Sequence, residues 1–342
     1  MITIGILLGL GICCYENLKQ FDGKTGFYYT QDVATRNQQQ SFWETASEDA
    51  KREIQGLVLF RNETGIEMKN KTLNRIEEGD LIETAGNMYL VTPGVMMKGS
   101  YVTDSDRNGC MISRKTAENL FGDLDIIGEK IIIRDKSYMV RGIVDVDKSL
   151  CMIQGDDDKS YPFVRVDAPR IPVSVVQQML SGLLPEDCEW ISEGDLYYGL
   201  GNIVFFLPIW IIFFIGSARC RKAVAGIRNK GLKLILKITV PIIGFTCMCL
   251  LFLLSFQFPD DYIPTAWSDF EFWTELVKQK KEMIVCLFEN PVQIADSLMI
   301  KSLIGLITIF TLLIVLLLLC CKRFDQCYEH QQKGVHKNRL FG

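Results

Sequence analysis

Three stretches of this chain run for 20 or more positions without a charged residue. They cover 23 residues from Leu196 to Ala218, 22 from Ile238 to Pro259 and 20 from Ser302 to Cys321. At 1.5 Å of rise per residue, each is long enough as a helix to cross a hydrocarbon layer about 30 Å thick. A buried core helix of a soluble enzyme is the competing reading, but three such runs in one chain argue against it. Met1 to Tyr15 is also apolar and uncharged, and reads as a short first span. A cleaved signal peptide is the alternative, although the basic start and small-residue cleavage pattern of such a peptide are missing. The expected architecture is a bundle of four transmembrane helices joined to one large domain.

Charge fixes the orientation. The 342 residues carry a net charge of −4, with 41 acids against 37 Lys and Arg, which excludes a general nucleic-acid binder. That small average hides segregation. Residues 219–237 hold seven bases and no acid, and the tail after Cys321 adds five bases against two acids. Both belong on the cytoplasmic side by the positive-inside rule. Residues 16–195 hold 31 acids and 21 bases, and Gln257 to Leu298 hold eight acids and three bases, so both lie outside. The resulting order is a first span (1–15), an external domain (16–195), a second span (196–218), a basic cytoplasmic loop (219–237) and a third span (238–259). An external loop (260–298), a fourth span (299–321) and a cytoplasmic tail (322–342) complete it.

Most familiar chemistries are missing from this sequence. No G-x-x-x-x-G-K-[ST] phosphate loop occurs, so a nucleotide is not cradled here in the usual way. The two histidines, His330 and His336, lie in the tail, which removes a His-based triad or zinc site from the external side. Of the twelve cysteines, Cys110, Cys151, Cys188 and Cys286 face outside in this topology. No metal spacing links them, and a disulfide among them and unpaired thiols are both open. Asp156-Asp157-Asp158 reads as the solvated tip of a hairpin. Pro208 and Asn202 in the second span read as a kink satisfied by neighbouring helices. No span carries an ionisable residue at its middle, which argues against an ion relay. No catalytic, cofactor or metal residue is assigned.

The external segment has mixed signals, and the expected class is α+β. Phe42, Trp43, Ala46, Ala50 and Ile54 recur at helical spacing over Ser41 to Ile54, and short strands are expected at Gly56–Phe60, Ile66–Met68, Asp80–Glu83 and Met88–Val91. Asn37 to Gln40 reads as a loop. From Gly99 onward the elements are strand, helix and hairpin. A strand ends at Ser113, a free-hydroxyl N-cap, and a short helix through Ala117, Leu120 and Phe121 is stopped by Gly122. Strands at Ile131–Arg134 and Tyr138–Val144 follow, turning at Asp135-Lys136.

These residues resemble the external core domain of MacB/FtsX-type ABC transporter permeases. The family pattern has a glycine, an aromatic and Thr-x-x-Asp, then a strand ending in Ser and a helix ending Leu-Phe-Gly. An Asp-x-Ile-Gly-Lys step and a Tyr-x-Val-x-Gly-Val-Val strand close it. The chain carries Gly99, Tyr101, Thr103 to Asp106, Ser113, Leu120-Phe121-Gly122, Asp125 to Lys130 with Gly128, and Tyr138 to Val144 with Gly142, about 45 residues in matching order. The family also has one helix, a large external domain and three further helices. Its coupling segment after the second span is similar in layout to Arg219, Arg221, Lys222, Gly226, Ile227, Arg228, Lys230 and Gly231, although the acid of the family pattern is absent here.

The resemblance implies a permease subunit in a bacterial plasma membrane. It implies a separate cytoplasmic ABC ATPase as motor and a homodimer or a heterodimer with a second permease. It also implies mechanical coupling of the motor to an external domain that exports or releases a peptide, lipoprotein or drug, or controls an envelope partner. On that reading the chain itself is not an enzyme and holds no cofactor. The missing acid supports an alternative, a membrane-anchored binding or sensing protein without a motor. The seven cations could equally hold anionic lipid headgroups.

Overall fold

The computed structural model describes residues 2–257, 262, 270–289 and 294–338. The side chains of Cys286, His330 and His336 lie outside the described residues, as do residues 258–261, 263–269 and 290–293 within or beside the loop expected at 260–298. In chain order the elements are α1 (Ile2–Lys19), β1 (Lys24–Tyr28), β2 (Ala34–Thr35), α2 (Arg36–Thr45), α3 (Glu48–Glu53), β3 (Gly56–Asn70) and β4 (Arg75–Gly86). Then come β5 (Met96–Gly99), β6 (Gly109–Ser113), α4 (Arg114–Leu120), β7 (Lys130–Ile133), β8 (Lys136–Val144), β9 (Leu150–Gln154), β10 (Ser160–Tyr161) and β11 (Phe163–Asp167). The last are α5 (Val173–Met179), β12 (Trp190–Glu193), α6 (Gly194–Ala225), α7 (Lys230–Ser255), α8 (Phe270–Glu289) and α9 (Ile294–Asn338).

The chain divides into two compact units. One, made of Phe21–Tyr197 with the described part of Phe258–Ile300, is a mixed α/β domain. Its main sheet runs β12-β1-β11-β3-β4-β9-β6-β8-β5, with β7 pairing both β3 and β8. Because β7 joins the far end of β3 at Met68 and Lys69, the ladder β3–β4–β9–β6–β8–β7 closes on itself. Closure removes two free sheet edges and creates an interior. Alternating residues fill that interior: Met68, Leu81, Cys110, Ile112, Ile131, Ile133, Val140, Ile143, Cys151 and Ile153, capped by Ala117 and Leu120 of α4. A second core packs α2, α3 and α5 against β1, β11 and the start of β3 through Phe27, Phe42, Ala50, Leu57, Val164, Val166 and Val176.

Several local expectations change in the structure. The helix expected over Ser41–Ile54 is two helices, because Thr35 caps an earlier start with a reciprocal Gln38 box and Ala46 leaves helical geometry before Ser47 caps α3. Asn37–Gln40 is therefore the first turn of α2. The two strands expected at Gly56–Phe60 and Ile66–Met68 are one bent strand, interrupted by a register shift between Glu63 and Ile66. Met88–Leu90 is a 3-10 turn instead of a strand. Asp156–Asp158 is no hairpin tip, because β9 pairs β4 and β6 whereas β10 pairs β2. Cys110, Cys151 and Cys188 are free thiols, and burial pushes the Cys151 thiol well up, with a hydrogen bond to Cys110 acting in the same direction.

The other unit, built from 1–20, 198–257 and 301–342, is helical. Three helices are long and apolar enough to cross a membrane by length and composition: Gly194–Ala225, Lys230–Ser255 and Ala295–Arg323. The first helix, Ile2–Lys19, is not among them. It packs tightly within this unit, where Gly11 leaves room for the Phe310 ring and Gly305 for the Cys14 sulfur. Asn202 joins three helices. It accepts from Tyr15 Oη at 2.8 Å, and its Nδ2 donates to the carbonyls of Leu254 at 2.6 Å and Ser255 at 3.3 Å. Those carbonyls end α7 and have no partner within the helix, so in an apolar layer the carboxamide spares them an unsatisfied state. Trp210 Nε1 donates to Ser255 Oγ at 2.9 Å at the same end.

Candidate functional site

The motif residues lie in the framework of the α/β domain. Gly99 of β5 and Gly142 of β8 face each other in the ladder. A Cβ on Gly99, whose φ is +81°, would sit 2.1 Å from the Arg141 carbonyl oxygen, and one on Gly142 would sit 2.6 Å from that of Ser100. Gly122 and Gly128 hold φ of +74° and +94°. Leu120 and Tyr138 are buried in the closed interior, with Phe121 half-buried against it. Asp106 accepts from Arg141 Nε at 2.8 Å, Thr103 lies 3.3 Å from Ser105 Oγ, and Tyr101 is exposed and edge-on to Tyr89. None of these groups converges on a reactive centre. They shape the β5–β8 edge.

The basic segment is not a single loop. Arg219, Arg221 and Lys222 ride on the last turns of α6, Gly226, Ile227 and Arg228 form a four-residue break with Asn229, and Lys230 and Gly231 open α7. Ala223, Val224 and Ala225 let the helix continue, and Gly226 ends it, its amide on the Lys222 and Ala223 carbonyls. Asn229 caps α7 by accepting from Gly231 N at 3.0 Å and Leu232 N at 3.3 Å. Arg219, Arg221, Lys222, Arg228 and Lys230 are exposed and Ile227 is half-buried. Two helix ends thus present cations at one turn.

A third arrangement was not legible beforehand. Within the α/β unit, Asp296 in the first turn of α9 is buried against the sheet. Arg165 Nη2 of β11 donates to its Oδ1 at 2.5 Å, Ser192 Oγ of β12 donates to the same oxygen at 2.9 Å, and the Tyr28 hydroxyl of β1 donates to Oδ2. Arg165 Nη2 also reaches Tyr28 Oη at 2.7 Å. Both charged side chains are almost fully enclosed, at 3% and 2% exposure. Gly26 makes the space, being paired to Arg165 on one side and Ser192 on the other; a Cβ there would lie 2.9 Å from Tyr28 Cε2. Trp190 stacks on the Tyr28 ring at 4.7 Å.

The electrostatics of this joint are one-sided. Burial lowers the Arg165 pKa, but Asp296 and Tyr28 outweigh it and the net shift is upward, so the guanidinium stays charged. Burial raises the Tyr28 phenol well above its ordinary value, with Asp296 adding to the rise against Arg165, so it remains a donor. Arg165 Nη1 has no hydrogen-bond partner, which leaves Asp296 as the group that compensates the buried cation. Beside it, Glu193 receives Lys280 of α8 and the Tyr262 hydroxyl. The same sheet edge therefore holds both α8 and the start of α9.

A mixed α/β domain with a largely antiparallel sheet, accompanied by three apolar helices, is the class that this architecture defines. Among solved structures the chain is similar to the periplasmic region of MacB from Actinobacillus actinomycetemcomitans, at 13% identity and a TM-score of 0.41 over 52% of this chain and 92% of that one. It is also similar to the extracellular domain of the noncanonic ABC-type transporter YknZ from Gram-positive bacteria, at 16% identity and a TM-score of 0.34 over 45% and 87%. No family model matches, and no curated protein matches.

Proposed function

We propose that the chain is a permease-type subunit that couples a separate cytoplasmic ATPase to its external domain by mechanical movement. The observation that carries this reading is the turn between α6 and α7, where two helix ends of membrane-crossing length present Arg219, Arg221, Lys222, Arg228 and Lys230 exposed and with no acid between them. Such a turn suits an acidic or dipolar groove on a partner. The matching order of the Gly99–Val144 motif supports the same reading. The Arg165–Asp296 joint supports it too, since a helix start clamped by a buried ion pair moves with the sheet that clamps it.

On this reading α1 is a fourth span, the α/β domain and α8 are extracytoplasmic, the protein sits in a bacterial plasma membrane as a homodimer or heterodimer, and catalysis belongs to the partner. Co-purification with an ATPase encoded beside this gene tests it. Charge reversal at Arg221, Lys222 and Arg228 abolishes co-purification. Retention of the partner by the triple variant overturns the docking site, and binding to anionic vesicles alone would assign the cations to lipid headgroups.

A further inference from the structure

A cavity of about 380 Å3 opens between α2 and the ends of β3 and β4, within the α/β unit and apart from the joint. That volume is in the range of small-molecule sites, roughly 300–1,000 Å3. Its lining includes Trp43 and the carboxamides of Gln39, Gln40, Gln55 and Asn87, with Arg36 and Asp104 beside them. We propose that it binds a neutral saccharide, one pyranose ring resting on Trp43 and its hydroxyls on Gln40, Gln55 and Asn87.

Four observations carry the assignment. Arg36 is the largest fully buried side chain among the described residues, at 1% exposure. Its Nη atoms are used by Asp104, by the Thr84 carbonyl at 3.0 Å, by Gln154 Oε1 at 3.0 Å and by the Gly155 carbonyl at 3.2 Å, but its Nε has no hydrogen-bond acceptor. An Asp157 oxygen 3.5 Å away makes an ion pair with that nitrogen and no hydrogen bond. Held by these groups, Arg36 is a fixed part of the wall and leaves the exposed side chains of the lining to meet a ligand.

Charge is the second observation. Asp104 pairs with Arg36, the one cation in the lining, and Asp157 outside it is shared between Arg36 and Arg107, so neither an anion nor a cation finds an uncompensated partner there. The third is the carboxamide set. Gln40, Gln55 and Asn87 are exposed, and each offers a donor pair and an acceptor, which match vicinal hydroxyls. Gln39 is already engaged, donating to the Leu57 carbonyl at 3.3 Å. Trp43 is half-buried and braced edge-on by Phe42 at 5.3 Å, a fixed apolar plate for the C–H face of a sugar ring.

The fourth observation excludes the main competitor, an extended peptide. The strand ends beside the cavity have their backbone groups engaged: the Leu57 carbonyl accepts from Asn87 N at 3.4 Å and Gln39 Nε2 at 3.3 Å, Gly86 N donates to Asp104 at 2.9 Å and the Gly86 carbonyl accepts from Gln154 Nε2 at 3.0 Å, so neither end is free to receive another strand. This inference stands whether or not an ATPase docks at the α6–α7 turn.

The test uses the full chain in nanodiscs, titrated by calorimetry with three neutral trisaccharides: β-1,4-linked glucose, β-1,4-linked N-acetylglucosamine and α-1,4-linked glucose. At least one binds saturably. Trp43→Ala then weakens it about tenfold or more and Trp43→Phe only about threefold, a spread expected of a lost stacking plate. Gln40→Ala, at an exposed position that leaves the fold intact, weakens binding by a smaller factor. No saturable binding by any of the three overturns the proposal. So does undiminished binding by the Trp43→Ala and Gln40→Ala variants, or equal displacement by a hexaalanine peptide.

Discussion

Arg165 and Asp296 are 131 residues apart and neither looks unusual in its own segment. Arg165 sits in Phe163-Val164-Arg165-Val166, where a single cation in an apolar strand was the only available signal, and Asp296 sits at the start of a helix, where an acid is ordinary. Pairing across such a distance is a property of the fold and cannot be read from periodicity. Motif glycines behave in the opposite way, since Gly99 and Gly142 mark close backbone approach and are legible as turn and edge signals. The joint makes a sharp prediction. Asp296→Ala leaves Arg165 buried without its counter-ion and destabilises the α/β unit by about 3–5 kcal/mol, whereas Arg165→Met combined with Asp296→Leu recovers most of the loss. Thermal unfolding of the full chain checks this, and a double variant no better than the single one would show that packing, not charge, sets the cost. Gly26→Ala, by crowding Tyr28, lowers the same transition.

Among elements, the α4 region was the most legible and the α2–α3 region the least. Ser113 is the N-cap expected, its Oγ accepting from Thr116 N at 3.1 Å, and the β7–β8 hairpin is where it was expected, although it turns at Arg134 and Asp135, both with positive φ, one residue before the expected Asp135-Lys136. These signals are local, so sequence alone carries them. The single amphipathic helix expected over Ser41–Ile54 failed because apolar spacing continues across the break at Ala46, while the capping box at Thr35 lies outside the periodic stretch. Closure of the ladder by β7 is non-local and had no sequence signal. Because Ser113 Oγ also accepts from Leu150 N at 3.3 Å, Ser113→Ala removes both a cap and a strand contact. It costs about 1–2 kcal/mol, the upper part of the range for N-cap loss. Ser113→Asn, which retains a capping oxygen, costs less, and equal losses in denaturant unfolding of the two variants would rule out capping as the cause.

For the molecule as a whole, segregated charge and apolar length together predict which turns face which side, and that is testable without any partner. The loop at Asp156–Asp158 lies between β9 and β10 of the α/β unit, and the break at 226–229 lies between α6 and α7. A protease site inserted at the first is cut when the enzyme is added outside intact cells. One inserted between Gly226 and Asn229 is cut only after the membrane is opened. The loop insertion separates Asp157 from Arg107 and Arg36 and Asp158 from Asn37, while Asp104 keeps its pair with the buried Arg36. If both sites were cut from outside, the seven cations of 219–237 could not dock on a cytoplasmic motor. Cleavage of neither in intact cells, with both cut after opening, would place the acidic domain inside with the basic turn and rule out α6 as a crossing between them. The expected pattern, one site on each side, puts the α6–α7 turn in the same compartment as an ATPase and the Trp43 cavity where extracytoplasmic saccharides can reach it.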